Sequence, residues 1–244
     1  MNKSSPSPNF SHSVRVRSRG YLPHWEMEGG TYFVTFRLAD TLPESMLLEW
    51  EAERARVTAE WRRTRQVAPA SLPASLVVTT RNNAGRDAGA TNHALLPSLA
   101  TRLREWFSEK VDAYLDSGAG ACWLAQPEIA KLVQNALLHF ESQRYELLAW
   151  CVMPNHVHSV LRPASNWVLE SILHSWKSYT ASEANRVLSR KGQTFWQHES
   201  YDHVVRNEND LQHCVIYTEE NPVKAGLCKK PEDWPWSSAR RRSP

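Results

Sequence analysis

The strongest constraint on this fold is a pair of strand-like segments that a short turn separates. Residues 145–152 and 157–161 are rich in β-branched, aromatic and other apolar side chains, and Met153-Pro154-Asn155 lies between them. A connection this short joins antiparallel neighbours, because a parallel pair needs a much longer crossover. The chain is therefore predicted to build an antiparallel sheet around this hairpin.

Other segments extend the hairpin into an alternation of strands and helices. Residues 31–38 are dense in β-branched and aromatic residues, which predicts a first strand of the sheet. Apolar residues at helical spacing predict helices at about 127–141, 167–189 and 208–220. A final strand is predicted at 201–205, and Pro222 is predicted to end the last helix. With residues 40–125 set aside, the order is β-α-β-β-α-β followed by a helix. We therefore predict an α+β fold with a ferredoxin-like antiparallel sheet and an added C-terminal helix.

Residues 40–125 are interpreted as a helical and loop insertion after the first strand. Residues 44–66 follow an amphipathic helical pattern, and a second helix is predicted from near Ala100 to about Asp116. The intervening residues 67–98 mix Pro, Ala, Ser, Asn and Gly, which is typical of a loop. At 244 residues the chain is near the upper size for one hydrophobic core, so one domain over 1–244 that carries this insertion is expected.

The composition narrows the compartment and the chemistry. No apolar run is long enough to span a membrane, and the first twenty residues lack the apolar core of a signal peptide, so a cytoplasmic protein is expected. The four cysteines are scattered without a C-x-x-C pair, which argues against a disulfide framework or a structural zinc site. The net charge of +3 is too weak to imply a polyanionic partner by itself, although both ends of the chain are basic.

One motif places two metal-ligand side chains on the same strand. In His156-Val157-His158 the imidazoles are two residues apart, so both point to the same face of the sheet and both can reach one cation. Imidazole suits Mg, Mn or Zn, but two ligands do not close a site, so a third must come from elsewhere. The alternative is two hydrogen-bonded histidines of a sheet. A nucleotidyl hydrolase would need a third histidine at position 160, where the chain has Val160.

Several motifs together resemble the REP-associated tyrosine transposases, which are single-tyrosine HUH enzymes. The resemblance rests on Met153-Pro154-Asn155-His156-Val157-His158 and on Tyr217-Thr218-Glu219-Glu220-Asn221-Pro222. It extends through shorter motifs at 29–35, 176–181, 195–197, 202–206 and 234–238. The resemblance implies a nuclease domain that cleaves single-stranded DNA at hairpin, REP-like repeats, forms a 5′-phosphotyrosine link and rejoins strands in transposition. It implies Mg²⁺ or Mn²⁺ as the cofactor.

The resemblance also implies roles for individual residues. Tyr217 corresponds to the nucleophile on the last helix, and Asn221, four residues on, corresponds to the residue that completes the metal site with His156 and His158. Residues four apart share a helix face, so phenol and amide can both face the histidines. Tyr179 and Tyr201 are the alternative nucleophiles, for which packing is the expected role. The alternative for Asn221 is a helix-stop signal before Pro222.

The expected partner is single-stranded or hairpin DNA, bound by a monomer or a homodimer. Candidate phosphate contacts, with solvated surface as the alternative, are Lys177, Arg206, Arg15, Arg17 and Arg19. Asp202 and His203 lie beside the predicted site and could touch the DNA backbone or order a ligand. Two other functions stay open from the sequence: a hairpin-DNA-binding protein that does not cut, and a metal-dependent phosphodiesterase that uses water instead of Tyr217.

Overall fold

The computed structural model describes residues 14–19, 22–27, 29–43 and 113–242, with residues 110 and 111 and scattered positions between 45 and 59. The chain divides into two compact units, 1–42 with 112–244, and 43–111. In the second unit, the described positions between 45 and 59 are helical, as predicted. The predicted loop at 67–98 lies outside the described residues. A single domain over 1–244 stays a prediction.

The first unit is built on a four-stranded antiparallel sheet. Its strands are β3 (Tyr32–Arg37), β4 (Tyr145–Val152), β5 (His156–Pro163) and β6 (Tyr201–Val204), and their spatial order is β4-β5-β3-β6. Helix α1 (Pro127–His139) precedes β4, and helix α2 (Leu169–Val187) connects β5 to β6. The connectivity is that of the β-α-β-β-α-β motif. The prediction of an α+β fold with a ferredoxin-like antiparallel sheet is confirmed.

Alternate side chains of the sheet enter two different layers. Val34 and Phe36 of β3 pack in the main core with α1 and α2 residues such as Leu137 and Trp176. Phe33 lies on the opposite face, in a smaller cluster with residues of helix α3 (Glu208–Lys224). Residues directly opposite each other in an antiparallel pair share a face. Thr35 and Arg37 share the face of Phe33 because they follow it by two and four residues along β3. Thr35 lies opposite His158 and Arg37 lies opposite His156, so both histidines lie on the face that α3 covers.

The final helix passes through a proline that was expected to end it. Helix α3 spans Glu208–Lys224 with Pro222 inside, so the predicted end near residue 220 is wrong. Proline removes one backbone N–H, but the chain beyond it still closes helical bonds, because Ala225 N donates to Asn221 O and Leu227 N donates to Pro222 O. Tyr217, Asn221 and Lys224 therefore lie on one continuous helix.

The N-terminal segment forms a hairpin that the sequence analysis did not predict. Strands β1 (Val14–Arg19) and β2 (Leu22–Met27) pair antiparallel, with Arg15 opposite Glu26 and Arg17 opposite His24. The period-two alternation of valine and arginine from residue 14 to residue 17 is a strand signal that the sequence analysis, which considered only the basic charge of this end, missed. Among the described residues, no helix has the length and apolar character needed to cross a membrane.

Candidate active site

Two imidazoles face each other on the side of the sheet that α3 covers. His156 and His158 are fully buried, and their Nε2 atoms are 2.9 Å apart. The strand places them there because residues two apart along β5 point to the same face. The pair predicted from the sequence spacing is therefore brought together at the distance of a hydrogen bond or of two ligands of one ion.

Asn155 determines which nitrogen of His156 carries the proton. Its side-chain nitrogen donates to Leu115 O and Ala119 O, both at 2.8 Å, so its Oδ1 is an acceptor. That oxygen is 2.7 Å from Nδ1 of His156, which must donate the proton. The lone pair of His156 Nε2 is then left facing His158, which is the arrangement that an outer partner gives to a metal-binding histidine.

Thr35 holds the second histidine. Its Oγ1 is 2.8 Å from Nδ1 of His158, and a hydroxyl can either donate or accept a hydrogen bond. His158 can therefore carry its proton on Nε2, shared with His156, or on Nδ1, which frees Nε2 for a ligand. The Thr35 hydroxyl stabilises either tautomer.

Both histidines are held in the neutral form. Burial, then the nearby His158 and Arg37, holds the pKa of His156 well below its usual value. Burial, then the Lys224 ammonium, lowers the pKa of His158 to about 3. Neutral imidazole is the form that binds a metal ion, so near neutral pH neither histidine has to be deprotonated before it can bind one.

Helix α3 brings the predicted nucleophile to this pair. The ring of Tyr217 lies 5.5 Å from that of His158, centroid to centroid, and the two planes are nearly perpendicular. Phe33 stacks on His158 at 5.6 Å and meets the Tyr217 ring edge-on at 5.7 Å. Lys224 places its Nζ 4.6 Å from the centroid of the Tyr217 ring. The four side chains of His156, His158, Tyr217 and Asn221 are referred to below as the histidine-tyrosine cluster.

Asn221 is buried without hydrogen-bond partners for its amide. Its side chain is fully buried, and neither Oδ1 nor Nδ2 has a hydrogen-bond partner. It stands one helical turn after Tyr217 and therefore shares the face that Tyr217 presents to His158. An unsatisfied buried amide costs about 1–3 kcal/mol, and such a group requires an explanation.

The side chains at this position fit a hard divalent cation. The amide oxygen is a ligand that Mg²⁺ and Mn²⁺ prefer, and the two imidazole nitrogens are ligands of transition-metal ions, of which Mn²⁺ is one. Neighbouring ligands of an octahedral ion at about 2.1 Å are about 3.0 Å apart, close to the 2.9 Å between the two Nε2 atoms. The unsatisfied amide of Asn221 is the second observation that agrees with a bound ion.

Two charged residues at the site were missed by the sequence analysis. Asp116 Oδ1 is 3.8 Å from Nε2 of His156 and is a buried atom without a hydrogen-bond partner. Burial raises the pKa of Asp116 to about 6, although the Lys224 ammonium acts to lower it. No sequence signal links Asp116 to a motif forty residues away. Lys224 had one, because it follows Tyr217 by seven residues on the same helix face, but the expected stop at Pro222 concealed it.

The other candidate residues differ in their surroundings: some are exposed, Tyr201 packs against Phe33, and Lys177 already donates hydrogen bonds within the protein. Tyr179 is an exposed residue of α2, with 54% of its surface accessible, and Tyr201 meets Phe33 edge-on at 6.4 Å. Lys177 donates to His198 O and Ser200 Oγ, and burial, with the nearby Arg37, lowers its pKa to about 8. Arg206 is exposed and Asp202 is buried. Arg15, Arg17 and Arg19 lie on β1, but their side chains are outside the described part of the chain.

A second group of possible metal ligands lies near the start of α3. The donor atoms of His203, Asp210 and Cys214 lie within 4.8 Å of one another. Asp210 Oδ2 is already 3.0 Å from Nε2 of His203 and accepts the backbone N–H of Arg206 at 2.9 Å. Burial, then Asp210, raises the pKa of the Cys214 thiol to about 12. In this group, called the capping cluster below, the Asp210 oxygen already accepts hydrogen bonds from the protein and the Cys214 thiol is protonated, so neither is available to bind a metal ion.

Comparison with known proteins gives a class and then relatives. Residues 125–221 match the family model described as “Transposase IS200 like”. The REP-associated tyrosine transposase of Escherichia coli strain K12 is 29% identical over 113 residues, which are 46% of this chain and 65% of that protein. The putative REP-associated tyrosine transposase of Haemophilus influenzae is 27% identical over 113 residues, which are 41% of this chain and 62% of that protein. The matches therefore span just under two thirds of these relatives.

A solved structure was also matched. It is described as “Structure of the REP associates tyrosine transposase bound to a REP hairpin”, and the match has 18% identity and a TM-score of 0.44 over 92% of this chain and 82% of that one. Likeness at that score carries no argument by itself. The family match and the curated relatives confirm the resemblance predicted from the motifs: the chain is similar to the REP-associated tyrosine transposases. The whole histidine-tyrosine cluster lies inside the matched residues 125–221.

Proposed function

We propose that this chain is a metal-dependent transposase that cleaves single-stranded DNA at hairpin, REP-like repeats through Tyr217 and rejoins strands. The observation that carries the proposal is the approach of the Tyr217 ring to His158, one of two buried imidazoles whose Nε2 atoms are 2.9 Å apart. The similarity to REP-associated tyrosine transposases supports the same reaction.

The reaction is a transesterification at phosphorus. The Tyr217 phenol loses its proton and its oxygen forms a new bond to the scissile phosphorus. The bond from phosphorus to the 3′-oxygen breaks, and that oxygen leaves as a 3′-hydroxyl after it takes up a proton, so the step consumes and releases one proton. The DNA remains attached through a 5′-phosphotyrosine. A 3′-hydroxyl of another strand can then attack the same phosphorus and release Tyr217. One phosphodiester is exchanged for another, so no external energy source is needed.

The phenol needs help because its usual pKa is near 10, so only about one part in a thousand is ionised at neutral pH. His156, His158 and the amide oxygen of Asn221 would hold Mg²⁺ or Mn²⁺. Such an ion, when bound, polarises the scissile phosphate and neutralises its developing charge. Asn155 and Thr35 orient the imidazoles, while Phe33 covers His158 and Tyr217.

The DNA substrate follows from the position of the nucleophile. A half-buried tyrosine such as Tyr217 reaches a phosphate more readily in an unpaired backbone than in a stacked duplex, which favours single strands and hairpin ends. Arg206, Arg15, Arg17 and Arg19 are the proposed phosphate contacts. Lys177 is a weaker candidate, because it would have to give up its bonds to His198 and Ser200.

The test removes a single oxygen atom, the phenol oxygen of Tyr217. Tyr217→Phe keeps the ring contacts with His158 and Phe33 and removes the nucleophile. Wild type is incubated with Mn²⁺ and single-stranded hairpin repeats, and covalent protein–DNA adducts are counted on denaturing gels. We expect adduct and cleaved strand with wild type and with the control Tyr179→Phe, and neither with Tyr217→Phe, which should still bind the hairpin.

Each other outcome contradicts the proposal in a distinct way. Cleavage by Tyr217→Phe without an adduct indicates a phosphodiesterase that uses water. Hairpin binding without cleavage by wild type indicates a DNA-binding protein. If Tyr217→Phe still forms the adduct and Tyr201→Phe does not, the nucleophile is Tyr201 of β6.

A further inference from the structure

Asp116 is a half-buried carboxylate, with one buried oxygen, that the proposed chemistry has not used. It lies at the end of the helical turn 113–116, and its Oδ1 atom, 3.8 Å from Nε2 of His156, has no hydrogen-bond partner. A carboxylate oxygen can accept more than one hydrogen bond, and leaving one buried without a donor is unfavourable.

The neighbouring nitrogen cannot supply the missing donor. His156 gives its Nδ1 proton to Asn155 Oδ1, so Nε2 of the neutral ring presents a lone pair. Two electron-pair donors, Nε2 of His156 and Oδ1 of Asp116, are therefore close together without a proton between them. A cation, or a water held by a cation, satisfies both at once.

The protein fixes Asp116 at this position through Asn155. The amide nitrogen of Asn155 donates to Leu115 O and Ala119 O, the carbonyls one residue before and three residues after Asp116. The same side chain accepts the proton of His156. One fully buried residue therefore sets both the tautomer of a proposed metal ligand and the place of the carboxylate beside it.

Charge gives a reason for an acid at this point. Two neutral imidazoles and the neutral amide of Asn221 bring no negative charge to a buried divalent cation, and Lys224 adds positive charge nearby. Burial of an uncompensated charge is unfavourable, and hard cations such as Mg²⁺ and Mn²⁺ prefer carboxylate oxygen.

From these observations we infer that Asp116 is the anionic member of the cation site, binding the ion through one of its waters. The inference rests on the proposed function, because it assumes that His156 and His158 hold a divalent ion. It adds a residue that lies outside the matched region 125–221.

The experiment measures metal binding without DNA or turnover. Mn²⁺ is titrated into the full chain, and free Mn²⁺ is followed by electron paramagnetic resonance. We expect Asp116→Asn to weaken Mn²⁺ binding about 10- to 100-fold, as loss of a partner of a metal site commonly does. Asp116→Glu keeps the charge and should recover part of the affinity. The control Glu146→Gln removes an acid that pairs with Arg162 on β5 and should bind as wild type does.

The outcomes separate this inference from the proposed function. If wild type binds Mn²⁺, the variant with both His156→Ala and His158→Ala does not, and Asp116→Asn binds as tightly as wild type, the inference about Asp116 is wrong and the metal site stands. If wild type shows no saturable binding, the metal site and this inference both fall. Circular dichroism on each variant shows whether a loss of binding reflects a loss of folding. If Asp116→Asn is unfolded, the Mn²⁺ affinity of Asp116→Glu is the deciding measurement, and an affinity unrelated to the retained charge would overturn the inference.

Discussion

Helix α3 contributes side chains to two polar clusters, about two turns apart along the helix, and both clusters contain residue types that bind metals. In the capping cluster near its start, Asp210 accepts hydrogen bonds from His203 and from the Arg206 backbone. In the histidine-tyrosine cluster, the amide of Asn221 has no hydrogen-bond partner, and Asp116, 3.8 Å from His156, has a buried oxygen without one. The difference shows that the type of residue does not identify a site. Whether polar atoms already have protein partners is more informative, because a native chain seldom leaves them unpaired.

The largest expected difference between the clusters is catalytic. His156→Ala combined with His158→Ala should lower the rate of hairpin cleavage by at least about 10³-fold, because a metal contributes several kcal/mol to stabilisation of a phosphoryl transition state. Cys214→Ala, in the capping cluster, should leave that rate unchanged. Single-turnover cleavage of a labelled hairpin measures both. A slow Cys214→Ala variant with normal stability would remove the distinction.

The second difference is a dependence of stability on acid. His158 has its pKa lowered to about 3 by burial, with Lys224, whereas the unfolded chain binds a proton at about 6.5. Below pH 6.5 the unfolded state therefore binds more protons, and stability falls with decreasing pH until about pH 3. His158 should contribute a loss of about 1.4 kcal/mol per pH unit between pH 5.5 and 4. Urea unfolding of wild type and His158→Gln at pH 7 and 4.5 tests this, and equal losses in both proteins would contradict it.

The third difference separates activity from stability at one buried amide. Asn221→Leu replaces unsatisfied polar atoms with an apolar group of similar size, so the free energy of unfolding should rise by about 1–2 kcal/mol. Cleavage should fall about 10- to 100-fold if the amide binds the ion. Asn185→Leu is the comparison variant: the oxygen of that buried amide is also without a partner, but its nitrogen donates to Gln193 O, so its loss should destabilise the protein. If Asn221→Leu is destabilised instead, its amide has a partner within the fold.

The smallest effect is expected at the capping cluster. Burial acts to raise the pKa of Asp210, but the hydrogen bonds from His203 and the Arg206 N–H hold it below its usual value. This stabilisation is present above the unfolded value of 3.8 and is lost as pH falls through the folded value. Asp210→Asn should lower the free energy of unfolding at pH 7 by about 1 kcal/mol and leave it unchanged near pH 2. Thermal unfolding at both pH values is the measurement, and an equal loss at both would refute the charge-based explanation.

The sheet and the paired histidines could be predicted because both depend on local pattern. Strand composition, a short turn and the two-residue spacing of His156 and His158 determine the hairpin and the face that the imidazoles share. The α3 face of Tyr217 and Asn221 followed from helical spacing for the same reason. The true length of α3 did not follow, because a proline near a helix end is a stop signal in sequence and costs one bond in the structure.

The rest of the site depends on tertiary contacts that no local pattern contains. Asp116 reaches His156 because Asn155 binds the carbonyls of Leu115 and Ala119, nearly forty residues earlier. Thr35 meets His158 only through the register of β3 against β5. Both residues are ordinary in sequence and become informative when the burial and partners of each polar atom are known.

The central claim, that Tyr217 attacks the DNA, is tested most directly by locating the covalent bond. Wild type is reacted with a single-stranded hairpin and Mn²⁺, digested with protease and nuclease, and the nucleotide-bearing peptide is sequenced by mass spectrometry. The account predicts a 5′-linked nucleotide on Tyr217. A nucleotide on Tyr179 or Tyr201, or cleaved DNA with no modified tyrosine, would contradict it.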